Sequence, residues 1–271
     1  QGYDFDDYYE KDGLQLNKRF RLTLNGDLNL DWSYTSMEVD GGFDDRLTPP
    51  AALARIDAVT PDELSLQTIG DGVHLVGGSG TYAMFVEMDE YVVAIGGTAG
   101  IPDRIAELRK KGPSKPIRYG VMTHHHSDHV LGVPAYAAEG ATVVIAQAHE
   151  AVMRNAAGDA GMPEFEFVGD SHVITDGKRR IELYDVGPTP HSEHILLPYL
   201  PDEGIVFQAD HVATPRTGAL PPAISGHRAL AEAMEKLELN VKTVAGAHSP
   251  RLLTMDEFSA ALERDARVAQ Q

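Results

Sequence analysis

The sequence predicts an α/β fold with mixed sheets, on three observations. From about residue 68, short apolar runs broken by Gly or Asp turns follow one another, and beyond residue 100 they alternate with helical patterns. Hydrophobic residues make up 42% of the 271 positions and charged residues 24%, enough for a packed core and too apolar for disorder. No repeat, low-complexity tract or apolar run of membrane-spanning length interrupts the pattern.

Residues 1–50 predict an N-terminal β extension and linker, and residues 51–271 the main domain. Within the extension, apolar and polar residues alternate on either side of Asn25-Gly26, a strong hairpin signal that predicts two strands. Two strands alone are too few to be stable. The stretch 46–61 reads as a linker with a short helix. The main domain opens with the strands GVHLVGG (72–78), TYAMFVEM (81–88) and YVVAIGG (91–97). A helix follows over 101–111, with Pro102 near its start and Gly112 just past its end. IRYGVMT (117–123) and ATVVIA (141–146) are buried strands flanking a helical 128–139. Later strands are RRIELYDV, ILLPYL, GIVFQAD and KTVAGA, with helices near 226–239 and 255–267.

Lys and Arg total 23 against 41 Asp and Glu, a formal charge of −18. Such a surface repels phosphate backbones, which argues against nucleic-acid partners and for a small-molecule substrate. No signal-peptide pattern or membrane-inserting segment is present. The chain opens on Gln1 rather than Met, which predicts a processed or trimmed product. With no cysteine there is no disulfide, no thiolate nucleophile and no Cys-ligated metal, so any metal must sit on His and carboxylate.

The stretch THHHSDH (123–129) concentrates that chemistry. His124 and His126 stand two apart where an apolar strand runs out, so in extended chain they point to one side and can reach one ion. His125 then points away. Ser127 and Asp128 can cap the helix expected next. Asp128 and His129 leave the turn beside the first pair, offering an oxygen and a nitrogen to a second ion. Three more residues of ligand type close other strands or their loops: His191 in GPTPHSEH, Asp210 after IVFQ, and His248 in VAGAHSP. Together they predict His124, His126 and His191 on one ion, Asp128, His129 and His248 on the other, and Asp210 between. Three protein ligands per ion with open positions is the catalytic rather than the structural pattern. Of the remaining histidines, His74, His172 and His227 are expected as surface or strand residues, and His125 and His149 in local hydrogen bonds. His194 and His211 adjoin proposed ligands and are candidates to support them or touch substrate.

On these residues the chain resembles the metallo-β-lactamase fold superfamily. The likeness covers roughly residues 68–250, and H-x-H-x-D-H at 124–129 with His191, Asp210 and His248 stand in family order. It implies an αββα sandwich with the site at one edge, two divalent ions (Zn2+ foremost, Mn2+ or Fe2+ as alternatives) and a bridging Asp210. It also implies a hydrolase in which a metal-bridged hydroxide attacks. Asp128, best placed in the motif to orient that nucleophile, and His194, beside a proposed ligand, are the candidate catalytic side chains. A bridging aspartate resembles the thioesterase, lactonase and phosphodiesterase branches, and the expected reaction is cleavage of an ester, thioester, lactone or related acyl bond. β-Lactam hydrolysis, a mononuclear-iron persulfide dioxygenase and a non-catalytic metal module are the alternatives. Pocket-lining stretches expected to set specificity are 77–82, 155–165 and 215–225.

Two departures from the family pattern stand out. Gly96 takes the place of an Asp that commonly follows the third strand, and Pro190 precedes His191 where a Gly is common. Residues 1–47 also resemble the last strands of a β domain that precedes this hydrolase in some exported bacterial proteins. That predicts a periplasmic or otherwise exported protein, with a cytoplasmic one as the alternative.

Overall fold

The structure, a computed structural model, describes residues 2–24, 27–39, 63–158 and 161–268. The described residues fall into two compact units, one within Gln1–Thr60 and one within Pro61–Gln271.

The first unit is a three-stranded antiparallel sheet of β1 (Gly2–Lys11), β2 (Leu14–Leu24) and β3 (Asp27–Ser33). The sequence reading expected two strands and missed β1. The β1–β2 turn is Asp12-Gly13, both left-handed (φ 53° and 77°), as a two-residue hairpin turn requires. Tyr3 and Phe5 stand opposite Leu22 and Phe20, while Asp6 pairs with Arg21 on the other face. Asn25 and Gly26, and the linker with its short helix at 46–61, lie outside the described residues.

The second unit is built from two mixed sheets. The first contains β4 (Ser65–Gly70), β5 (Val73–Gly78), β6 (Thr81–Glu87), β7 (Val92–Ile95), β8 (Ile117–Val121), β9 (Thr142–Ala146) and β10 (Phe165–Val168), in the order β10-β9-β8-β7-β6-β5-β4. The second contains β11 (Ser171–Thr175), β12 (Arg180–Asp185), β13 (Leu196–Leu200), β14 (Ile205–Gln208), β15 (Thr243–Gly246) and β16 (Leu253–Thr254), hydrogen-bonded in sequence order. Strands alternate their faces, so each central strand serves two cores. Met84, Val86 and Ile95 of the first sheet meet Leu183, Ile205 and Phe207 of the second in the inner core. Phe85, Val92 and Ala94 face outward onto α1 (Ile101–Lys111), α2 (Val133–Ala138) and α3 (Glu150–Ala157). Tyr199, Val206 and Val244 face the other way onto α4 (Ser225–Lys236) and α5 (Met255–Val268). This is the αββα sandwich that the resemblance implied. No helix among the described residues is long and apolar enough to cross a membrane.

One expected element is corrected. The helix predicted over 128–139 covers only Val133–Ala138, preceded by Gly132, so neither Ser127 nor Asp128 caps it. Pro134 explains the late start. It has no N–H for a bond to the carbonyl four residues back, so it fits only the first turn. Residues 128–132 form turns instead, with the His129 N–H donating to the His126 carbonyl (2.9 Å).

The pairs β7–β8 and β14–β15 are parallel, which sends the C-terminal ends of β8, β14 and β15 toward loops carrying 124–129, Asp210 and His248. Backbone hydrogen bonds tie these ends together. The Leu196 N–H donates to the Thr123 carbonyl and the Tyr82 N–H to the Ala247 carbonyl, each at 2.8 Å.

Candidate metal centre

All seven side chains expected as ligands converge. His124, His126, His191 and Asp210 form one group and Asp128, His129 and His248 a second, each with its ligand-type atoms within 4.8 Å of one another. The Asp210 carboxylate joins them. Its Oδ2 lies 3.2 Å from Nε2 of His124, 3.1 Å from His191 and 2.8 Å from His129, while Oδ1 lies 3.0 Å from His248. Asp128 is the exposed member, with Oδ2 at 3.3 Å from His129 and 3.6 Å from His248. His125 belongs to neither group.

The donor set fits two small divalent ions. It offers imidazole nitrogens and carboxylate oxygens only, the ligands of a borderline ion such as zinc. Two ligands of a tetrahedral ion bound at about 2.1 Å stand about 3.4 Å apart. The Nε2 atoms of His124 and His191 face each other at 3.0 Å, and those of His129 and His248 at 3.2 Å. Two facing acceptor nitrogens repel unless a proton or a cation lies between them.

Local structure holds several of the candidate ligands. Thr123 Oγ1 contacts Nδ1 of His124 (3.2 Å), which leaves Nε2 for the cluster. Asp210 sits at φ 65°, a left-handed conformation uncommon outside glycine and one that marks functional sites. Gln208, fully buried at the end of β14, stabilises that turn. Its Oε1 accepts the N–H groups of His211 (3.0 Å) and Val212 (3.1 Å), and its Nε2 donates to the Val212 carbonyl (2.7 Å). The sequence reading missed Gln208, although a Gln closing the apolar run IVFQ was the available signal.

Both departures have local solutions. Gly96 takes φ 107°, a conformation that a side chain strains, and its carbonyl accepts the Tyr136 hydroxyl while its N–H donates to Val121. The segment is thus tied by a buried tyrosine where an Asp was expected. Around Pro190, Thr189 does the shaping. Its Oγ1 accepts the N–H groups of His191 (3.2 Å) and Ser192 (3.1 Å), holding the loop on which His191 projects.

Electrostatics follow from the crowding. Burial pushes the Asp210 carboxyl up, but hydrogen bonds from His124, His129, His191 and His248 outweigh it and hold the group well below the usual carboxylate range. Burial pulls His124 down to about 4 against the pull of Asp210. Burial and the neighbouring His191 lower His126. His248 moves the other way, raised by its hydrogen bond to Asp210.

The other histidines divide by environment. His74 is buried in β5 between Thr68 and Glu87, and His172 on β11 pairs with Glu166. His227 is neither a surface nor a strand residue: it is buried in α4, stacked at 6.1 Å on Phe258. Burial also lowers His211 to about 4. His194 stands three residues beyond His191, with Nδ1 at 2.7 Å from Asp185.

An αββα sandwich with a His/Asp cluster at the strand ends defines a class of metal-dependent hydrolases. The chain belongs to the metallo-beta-lactamase superfamily, whose family model matches residues 76–248. Among similar solved structures is the metallo-beta-lactamase FIM-1 from Pseudomonas aeruginosa in its mono-zinc form. It is 19% identical over 76% of this chain and 96% of that one, with a TM-score of 0.57. A metallo-beta-lactamase from Pontibacter korlensis is 20% identical over 77% of this chain and 100% of that one, at 0.58. DIM-1, solved after exposure to ceftazidime, is 13% identical over 77% and 99%, also at 0.58. At these identities the likeness shows the fold. The comparison with curated proteins found no match.

Proposed function

We propose that the protein is a dinuclear, zinc-type hydrolase that cleaves an ester, thioester, lactone or related acyl bond of a small molecule. The observation that carries this reading is Asp210, one carboxylate within 3.2 Å of four imidazoles drawn from both ligand groups. His124, His126 and His191 would hold one ion, Asp128, His129 and His248 the other, and Asp210 would be shared. Such a pair would supply hydroxide near neutral pH and polarise the attacked oxygen.

The chain's own residues do the rest. Asp128, the exposed carboxylate of the cluster, is the group we assign to accept a proton and orient the nucleophile. The turn 77–82 stands beside the centre, since the Tyr82 N–H donates to the carbonyl of Ala247, the residue before His248. Leu131, Met162 and Ile224 are exposed apolar side chains following the histidine motif and on the 155–165 and 215–225 stretches. They favour an apolar acyl substrate over a polyanion, in keeping with the chain's −18 charge. β-Lactam hydrolysis by the same centre is the second reading, favoured by the fold shared with the metallo-beta-lactamases above.

The test is a hydrolysis panel of 4-nitrophenyl esters, acyl thioesters, lactones and a chromogenic β-lactam. Each is run on zinc-loaded and on chelated protein. Zinc-dependent cleavage strongest among the first three supports the proposal. Cleavage confined to the β-lactam, or absence of metal-dependent hydrolysis, overturns it.

A further inference from the structure

A second imidazole group lies outside the seven ligand-type residues. From His126 a row of rings runs through His125 (centroids 4.9 Å apart) and His149 (4.6 Å further) to His194 (another 6.0 Å). The row does not make a third metal site. The ligand triad His124, His126 and His191 packs its rings at 4.4–4.8 Å, whereas the step to His194 is too long for a shared ion.

What distinguishes the end of the row is how firmly one nitrogen is held. Asp185, at the end of β12, is nearly enclosed and accepts the backbone N–H groups of Gly187 and Ile195 on Oδ1, both at 3.1 Å. Its Oδ2 therefore has a fixed place, 2.7 Å from Nδ1 of His194. The His194 side chain is 45% exposed, and no hydrogen-bond partner of its Nε2 is seen among the described residues. It rides on the loop that carries His191, whose turn is closed by the Ser192 hydroxyl donating to the His194 carbonyl (2.8 Å).

We propose that Asp185 holds His194 with its proton on Nδ1, and that His194 Nε2 delivers the proton to the leaving group of the hydrolysed acyl bond. This rests on the acyl-hydrolase reading above. As the bond between the acyl carbon and the leaving oxygen breaks, that oxygen keeps the bonding electrons and takes the Nε2 proton of the imidazolium. The neutral ring keeps its Nδ1–H on Asp185 and is reprotonated from water. Asp185 is the positioning residue, selecting the tautomer and stabilising the charged ring. The groups facing His194 are Asp185 from β12 and His149 from the short 3-10 turn before α3, with His125 behind His149. Burial holds His149 down at about 4, so it packs against His194 as a neutral ring near pH 7.

Asp185→Asn separates the tautomer from the fold. The amide keeps an oxygen for Gly187 and Ile195 but presents an NH2 to Nδ1, which must then accept. The ring can no longer take a second proton without breaking that bond. Two readouts follow. In metal-free protein, nitrogen-15 NMR of His194 is expected to report Nδ1–H in the wild type and Nε2–H in Asp185→Asn. In zinc-loaded protein, kcat on an alkyl ester is expected to fall about 100-fold, with bound zinc unchanged. On the matching 4-nitrophenyl ester, whose leaving group departs without a proton, the expected loss is under about threefold. An Nε2–H tautomer in the wild type, equal losses on the two esters, or no loss overturns the proposal. A wild type that hydrolyses neither ester with zinc bound overturns the acyl-hydrolase reading beneath it, while the NMR result still decides the Asp185–His194 pairing.

Discussion

Oδ2 of Asp210 lies 2.8 Å from Nε2 of His129, which is fully buried, although the two residues come from loops of different sheets. A largely buried carboxylate ringed by imidazoles is costly without compensating charge, and two shared cations would supply it. Asp210→Ala is therefore expected to reduce bound metal to one ion or none per chain. Hydrolysis should fall by more than about 100-fold, because several kcal/mol of charge stabilisation are lost. Mass spectrometry of metal content beside a rate measurement checks both; two tightly held ions in the variant would remove Asp210 from the shared position.

Adjacent residues make a sharper contrast. His126→Ala is expected to lose metal and activity together without unfolding the chain, since His126 belongs to the first ligand group. His125→Ala should keep its metal, because His125 packs on His149 instead. Equal metal loss in the two variants would contradict the assignment of faces.

Gly96 yields a prediction about restoring the family residue. At φ 107° a side chain is strained, and the segment already has its tie to Tyr136. Gly96→Asp should thus destabilise the protein by about 1–3 kcal/mol and leave metal affinity no higher. Thermal unfolding with a metal titration measures both; a stabilised, tighter-binding variant would show that the carboxylate was simply missing.

His149 sets a pH dependence. Burial holds it neutral in the fold down to about 4, whereas the unfolded chain takes up that proton below the ordinary value of 6.5. The unfolded state therefore binds more protons between these limits, and stability falls as pH drops from 6.5 toward 4. His149→Gln should flatten this slope by at most about 1.4 kcal/mol per pH unit. Denaturant melts of both proteins across that window test it, and parallel slopes would refute it.

The candidate ligands were readable because metal chemistry leaves a local signature: imidazoles and carboxylates where apolar strands end. The strands from β5 to β9 were readable for a related reason, as their buried faces are near-continuous apolar runs. What escaped was polar or set by tertiary context. β1 carries its alternation on Tyr and Asp, and β11 is half-exposed. The shortened α2 depends on one missing N–H at Pro134. Tyr136 and Asp185 act on residues brought to them by the fold, and nothing in their sequence neighbourhoods names those partners.

The most direct measurement is metal stoichiometry by mass spectrometry on protein purified without chelator, with hydrolysis assayed on the same sample. Two divalent ions per chain, with activity lost on chelation and restored by zinc, is the predicted result. A single iron per chain without hydrolysis, or no bound metal even after reconstitution, would contradict the dinuclear hydrolase.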